Sequence, residues 1–132
     1  MYAENNQADQ ADGICKALDG EVPVPKSDQE NTDYYFAFSK VKPDAKTIVL
    51  GMTDKGTENI WTDYKGEKLG FTKWDTLEPN NSNNQDYAVF WMPGASWRTK
   101  IAHAWDDVRG QRQLSIICEC YNSVLYVKGK TA

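Results

Sequence analysis

Phe71-Thr72-Lys73-Trp74-Asp75-Thr76-Leu77-Glu78-Pro79-Asn80-Asn81-Ser82-Asn83-Asn84-Gln85 is the stretch on which the fold turns. It is dense in Asn and Asp, is broken by Pro79, and follows neither a helical nor an alternating apolar period. A segment that long without regular structure is uncommon inside a compact domain unless it carries a function. The sequence around it is regular. Asp86-Tyr87-Ala88-Val89-Phe90-Trp91 follows it as a β-type run, Thr47-Ile48-Val49-Leu50-Gly51-Met52 precedes it, and Leu114-Ser115-Ile116-Ile117-Cys118 and Val124-Leu125-Tyr126-Val127 come later. Further out, toward the N-terminus, the period changes to that of helices. Asn5 and Asn6 can cap a first helix through about Leu18, ended by Gly20 and the extended Val22-Pro23-Val24-Pro25 stretch. Ser27-Asp28-Gln29-Glu30 reads as a capping box opening a second helix, with Tyr34, Tyr35, Phe38 and Val41 at helical spacing. Helices segregated before strands predict an α+β domain with a mainly antiparallel sheet.

The chain has 132 residues, the size of one domain, with 40% hydrophobic and 12% aromatic residues including five Trp, so a packed core is expected and disorder is not. Residues 1–132 read as a single domain, without repeats or a linker. A net charge of -4 and the lack of any Lys/Arg run oppose nucleic-acid binding. No run approaches the roughly 18 apolar residues of a membrane span, so membrane insertion is not expected. The N-terminus has neither a basic nor an apolar signal region, which fits a cytosolic chain or a mature secreted one. The three cysteines, Cys15, Cys118 and Cys120, leave that choice open. Cys118 and Cys120 lie two apart on one strand and share a face, so Cys15 can pair with either.

Several short motifs, in order, resemble the C-type lectin-like domain. Ala11-Asp12-Gly13-Ile14-Cys15-Lys16-Ala17-Leu18-Asp19-Gly20, with Pro25 and Glu30-Asn31, is similar to the family's opening segment, and Leu50-Gly51-Met52-Thr53-Asp54 to its central strand. Glu78-Pro79-Asn80 resembles its sugar-specificity triplet in the mannose-type order, Trp105-Asp106-Asp107 its Trp-Asn-Asp motif, and Ile117-Cys118-Glu119 its closing strand. The likeness covers about residues 8 to 119, with 121–132 as an extension. It implies a secreted lectin and a Cys15 to Cys118 disulfide. The family's second disulfide is missing: its positions fall at Tyr87 and near Gly110.

The resemblance further implies a sugar-binding calcium held by Glu78, Asn80, Gln85, Asp106 and Asp107. Such an ion takes six to eight oxygen ligands, several of them charged. Gln85 stands where the family has Glu, and Asp106 where it has Asn. The exchange is reciprocal, so three carboxylates remain. Sugar hydroxyls would meet Glu78 and Asn80 on one side, and on the other Gln85 as donor and Asp106 as acceptor. An auxiliary calcium would be held by Asp54, Glu58, Asn81, Gln85 and Asp86. The proline of the triplet is preceded by a cis peptide in family members. Mannose, fucose and N-acetylglucosamine are the expected ligands, and weak single sites make a homo-oligomer the expected assembly. A domain that binds a protein or an ice surface is the competing expectation.

Plainer readings stand beside these. Asn- and Asp-rich loops are commonly solvated turns. Trp74 and Trp105 read as core anchors, Asp63, Glu67 and Asp75 as solvated charges, and His103 as a surface or packed residue on a strand with Ala104. With His103 the only histidine and no Ser or Cys nucleophile in a recognisable setting, an enzyme is not expected. Asn80-Asn81-Ser82 is formally a glycosylation sequon, read as unoccupied because a glycan would remove a ligand.

Overall fold

The computed structural model describes residues 6–76, 78–79, 85–110, 113–120 and 123–127. In chain order these form β1 (Asn6–Gln7), a short 3-10 turn, α1 (Ala11–Ala17), α2 (Asp28–Val41), β2 (Thr47–Thr57), β3 (Ile60–Asp63), β4 (Gln85–Trp91), β5 (Trp105–Arg109), β6 (Gln113–Leu114), β7 (Ile116–Cys120) and β8 (Ser123–Val127). The main sheet is antiparallel, in the order β3-β2-β4-β5. β1 pairs with β6 and β7 with β8. This is the expected α+β architecture.

α2 begins where its cap dictates. Ser27 is extended, and its hydroxyl accepts from the Glu30 N–H at 3.1 Å. The return arm of the box differs, since the Glu30 carboxylate reaches the Lys26 N–H at 3.2 Å. α1 starts later than its Asn pair suggests: Asn6 is in β1, and the helix proper opens at Ala11.

β2 is the structural axis. It is buried without interruption from Thr47 to Met52, as a strand covered on both faces must be. Side-chain alternation then sorts the core into two clusters. Ile48, Leu50 and Met52 pack with Phe38 of α2, Phe90 of β4, Trp105 of β5 and Ile117 of β7. Val49 packs on the other side with Cys15 of α1, Val89, Val108, Ile116 and Cys118. Gly51 falls where the extended 22–25 segment crosses: its N–H donates to Pro23 O at 2.9 Å, and a Cβ there would come within 2.5 Å of Val22 O.

The closing strand is tied to both helices. Cys15 is disulfide-bonded to Cys118, with their Cα atoms 5.3 Å apart. Cys120, at the end of β7, has its Sγ 3.6 Å from Leu18 O. The Tyr34 hydroxyl donates to the Glu119 carboxylate, 2.8 Å from Oε2. Tyr87 packs closely against Gly110. A Cβ on Gly110 would lie 2.9 Å from the Tyr87 ring, so the tyrosine occupies the room that a side chain at 110 would need.

Candidate functional site

Trp105 sets the site. It is fully buried, its indole N–H donates to Asn31 Oδ1 at 2.8 Å, and Asn31 Nδ2 donates to His103 O at 2.8 Å. Asn31 is itself fully buried and so clamps α2 to both sides of Ala104. The backbone of Trp105 also binds the long loop, donating to Lys73 O at 2.7 Å and accepting from the Asp75 N–H at 2.9 Å. Trp74 stacks edge-on against Trp105, with centroids 5.5 Å apart. Asp75 then accepts the Ile101 N–H on Oδ1 at 2.9 Å, and its backbone O accepts from the Glu78 N–H at 3.0 Å. The loop is therefore threaded along Trp105, and the two residues that follow Trp105 are brought to Glu78.

One carboxylate oxygen from each of Glu78, Asp106 and Asp107 lies within 4.8 Å of the others. Calcium–oxygen bonds of about 2.3–2.6 Å allow two ligands of one ion to be up to about 5 Å apart, so the spacing suits a shared cation. Asp107 is fully buried, and the Glu78–Pro79 peptide is cis. Gln85, opening β4, has its Oε1 buried with no donor among the described residues. Asn80 and Asn81 lie outside the described residues.

A second group forms where the β2–β3 hairpin meets β4. Oxygens of Asp54, Glu58 and Asp86 lie within 4.8 Å of one another. Thr53 Oγ1 donates to Asp86 O at 2.6 Å, and the Asn59 N–H donates to Asp54 Oδ2 at 2.9 Å from a left-handed turn (φ 65°). Asp54 Oδ1 and Asp86 Oδ1 are buried and find no donor among the described residues unless one of the two carboxyls holds a proton.

The electrostatics match this crowding. Burial first, then a hydrogen bond to Asp107 and the charges of Asp106 and Asp107, push the Glu78 carboxyl up to about 8. Burial, the contact with Asp86 and the charges of Asp86 and Glu58 push Asp54 up to about 6. Burial also raises Asp106, against the hydrogen bonds that it accepts from Trp91 and the Asp107 N–H. With no cation bound, the folded protein thus holds protons that the unfolded chain has released. The stability from Glu78 is fully present below about pH 4.5 and is lost as pH rises through about 8; that from Asp54 goes from about pH 3.8 through about 6. In chelator the melting temperature is expected to fall between about pH 5 and about pH 8.5, measured by differential scanning fluorimetry. A rise over that range would mean that the carboxylates are not crowded in solution.

Two residues depart from the sequence reading. His103 is in a turn at φ 59°, not on a strand, with its ring 4.2 Å from that of Tyr35. Asp75 is buried and bonds the Ile101 N–H, so it is not a solvated charge. Trp91, at the end of β4, adds a contact that spacing does not reveal: its indole N–H donates to Asp106 Oδ2 at 2.8 Å. No helix among the described residues is long and apolar enough to cross a membrane.

The fold recurs among known proteins. CEL-I, a C-type lectin from Cucumaria echinata, superposes with a TM-score of 0.67 at 24% identity, covering 83% of this chain and 79% of that one. The mouse scavenger receptor C-type lectin carbohydrate-recognition domain gives 0.65 at 14% identity, over 96% and 84%. A calcium-independent type II antifreeze protein gives 0.64 at 15% identity, over 83% and 75%. At such identities the likeness is one of fold. Residues 4–120 match the profile of the lectin C-type domain, and with that span, the disulfide and the sheet order agreeing, the chain belongs to the C-type lectin domain family, whose members are binding proteins rather than enzymes.

Proposed function

We propose that this domain binds carbohydrate through a calcium ion held by Glu78, Asn80, Gln85, Asp106 and Asp107, and prefers mannose-type sugars. The observation that carries the reading is the convergence of three carboxylates, from the loop and from β5, on a space of ionic size. C-type lectin domains usually bind calcium. The donor set suits the ion: hard oxygen atoms, three of them anionic, with the buried Gln85 Oε1 still short of a partner among the described residues. Bound calcium would cancel the mutual repulsion of these carboxylates and bind sugar hydroxyls directly.

The chain's own residues supply orientation. Glu78 accepts and Asn80 donates around one hydroxyl, while Gln85 donates and Asp106 accepts around its neighbour. Asp54, Glu58 and Asp86, with Asn81 and Gln85, would hold an auxiliary calcium, whose charge would relieve the facing Asp54 and Asp86 oxygens. We infer an extracellular setting, consistent with the buried disulfide, and a homo-oligomer that gathers weak single sites into useful avidity.

The antifreeze protein among the structural neighbours, calcium-independent by its name, shows that this fold also serves other purposes. Elution from an immobilised mannose-rich glycoprotein at fixed calcium separates the readings. Chelator should release the protein completely, and free mannose should elute it at a lower concentration than galactose. Earlier elution by galactose would transfer specificity from the triplet to the Gln85 and Asp106 pair. Calcium uptake without retention on any sugar would favour a protein or ice ligand.

A further inference from the structure

Position 106 carries an acid, and the geometry around it supplies a reason. Asp106 Oδ2 accepts the Trp91 indole N–H at 2.8 Å, and Oδ1 accepts the Asp107 backbone N–H at 2.8 Å. Both oxygens therefore face a donor. A carboxylate has about four acceptor positions and keeps roughly two after these bonds, enough for a cation and a hydroxyl. An amide in the same place has one oxygen and one NH2 group. Whichever way it is turned, the NH2 meets either the indole N–H or the backbone N–H, donor against donor.

Trp91 is the last residue of β4, half-buried, and reaches Asp106 diagonally on the neighbouring strand β5, where Asp106 pairs with Val89, two residues before Trp91. We propose that Trp91 is a positioning residue that commits position 106 to an acid, so that Asp106 can only accept from a bound sugar hydroxyl and Gln85 must be the donor beside it. The inference rests on the calcium and sugar reading of the site, and it accounts for an acid at 106 beside an amide at 85. The indole fixes the acceptor at 106, which leaves the amide of Gln85 as the donor.

A double-mutant cycle tests it, with Trp91→Phe, which keeps an aromatic ring and deletes the N–H, against Asp106→Asn. Two quantities are read: the calcium Kd by isothermal titration calorimetry, and the melting temperature in chelator. Asp106→Asn is expected to raise the calcium Kd roughly tenfold more in the native background than in the Trp91→Phe background. In chelator the same substitution should be worse for the melting temperature when the indole is present than when it is absent. A purely structural tryptophan would lower the melting temperature by the same amount in both backgrounds and leave both cycles additive. Additivity in both readouts overturns the proposal. If the unmutated protein takes up no calcium, the functional reading falls, and the cycle in chelator still decides the role of Trp91.

Discussion

Asp107→Asn is expected to weaken calcium binding by a factor on the order of 100 and to abolish calcium-dependent retention on sugar. Asp107 is fully buried and close to both Glu78 and Asp106, so no water can take its place without cost. Removing its charge takes the cluster from three carboxylates to two. The same substitution should act in the opposite sense without the ion. Asp107 is one of the groups that hold the Glu78 carboxyl up, so neutralising it relieves repulsion, and the melting temperature in chelator should rise at about pH 8. Calorimetric titration and fluorimetry check the two halves separately. A variant destabilised with and without calcium alike would show Asp107 to be a packing residue and not a ligand.

Cys15→Ser is expected to produce the largest loss of stability. The Cys15–Cys118 bond closes a loop spanning 103 residues, and loop-closure entropy puts its contribution at about 4–5 kcal/mol. Both cysteines are fully buried against Val22, Val49 and Val108, so a serine there also places a hydroxyl in an apolar cluster. The melting temperature should fall by more than about 10 °C. Non-reducing peptide mapping of the unmutated protein should recover Cys15 joined to Cys118. Recovery of a Cys118 to Cys120 link would contradict the buried pairing.

Legibility in the sequence followed locality. α2 is legible because its signal is a local cap, Ser27 with Glu30, and β2 because a short run rich in β-branched and apolar residues suits a strand covered on both faces. β5 was hard to see as a strand because it carries Asp106 and Asp107 side by side, a composition that strands disfavour, and it is held in place by pairing with β4. β3 is four residues long and nowhere fully buried, so it leaves no alternation to read. The acidic groups were legible as motifs through resemblance, whereas the supports behind them were not. Asn31 joins α2 to His103 and Trp105 across more than 70 residues, and Trp91 reaches Asp106 from a neighbouring strand. Such contacts come from tertiary placement, which no spacing encodes. The turn at His103 is equally hidden, since nothing in Ala102-His103-Ala104 announces a left-handed conformation.

Binding of sugar through an ion gripped by Glu78, Asn80, Gln85, Asp106 and Asp107 is tested most directly by a glycan array probed with calcium and again with chelator. Signal on mannose-, fucose- or N-acetylglucosamine-terminated glycans that vanishes in chelator is the predicted result. An array that stays blank in calcium, or a signal that chelator leaves unchanged, would contradict it.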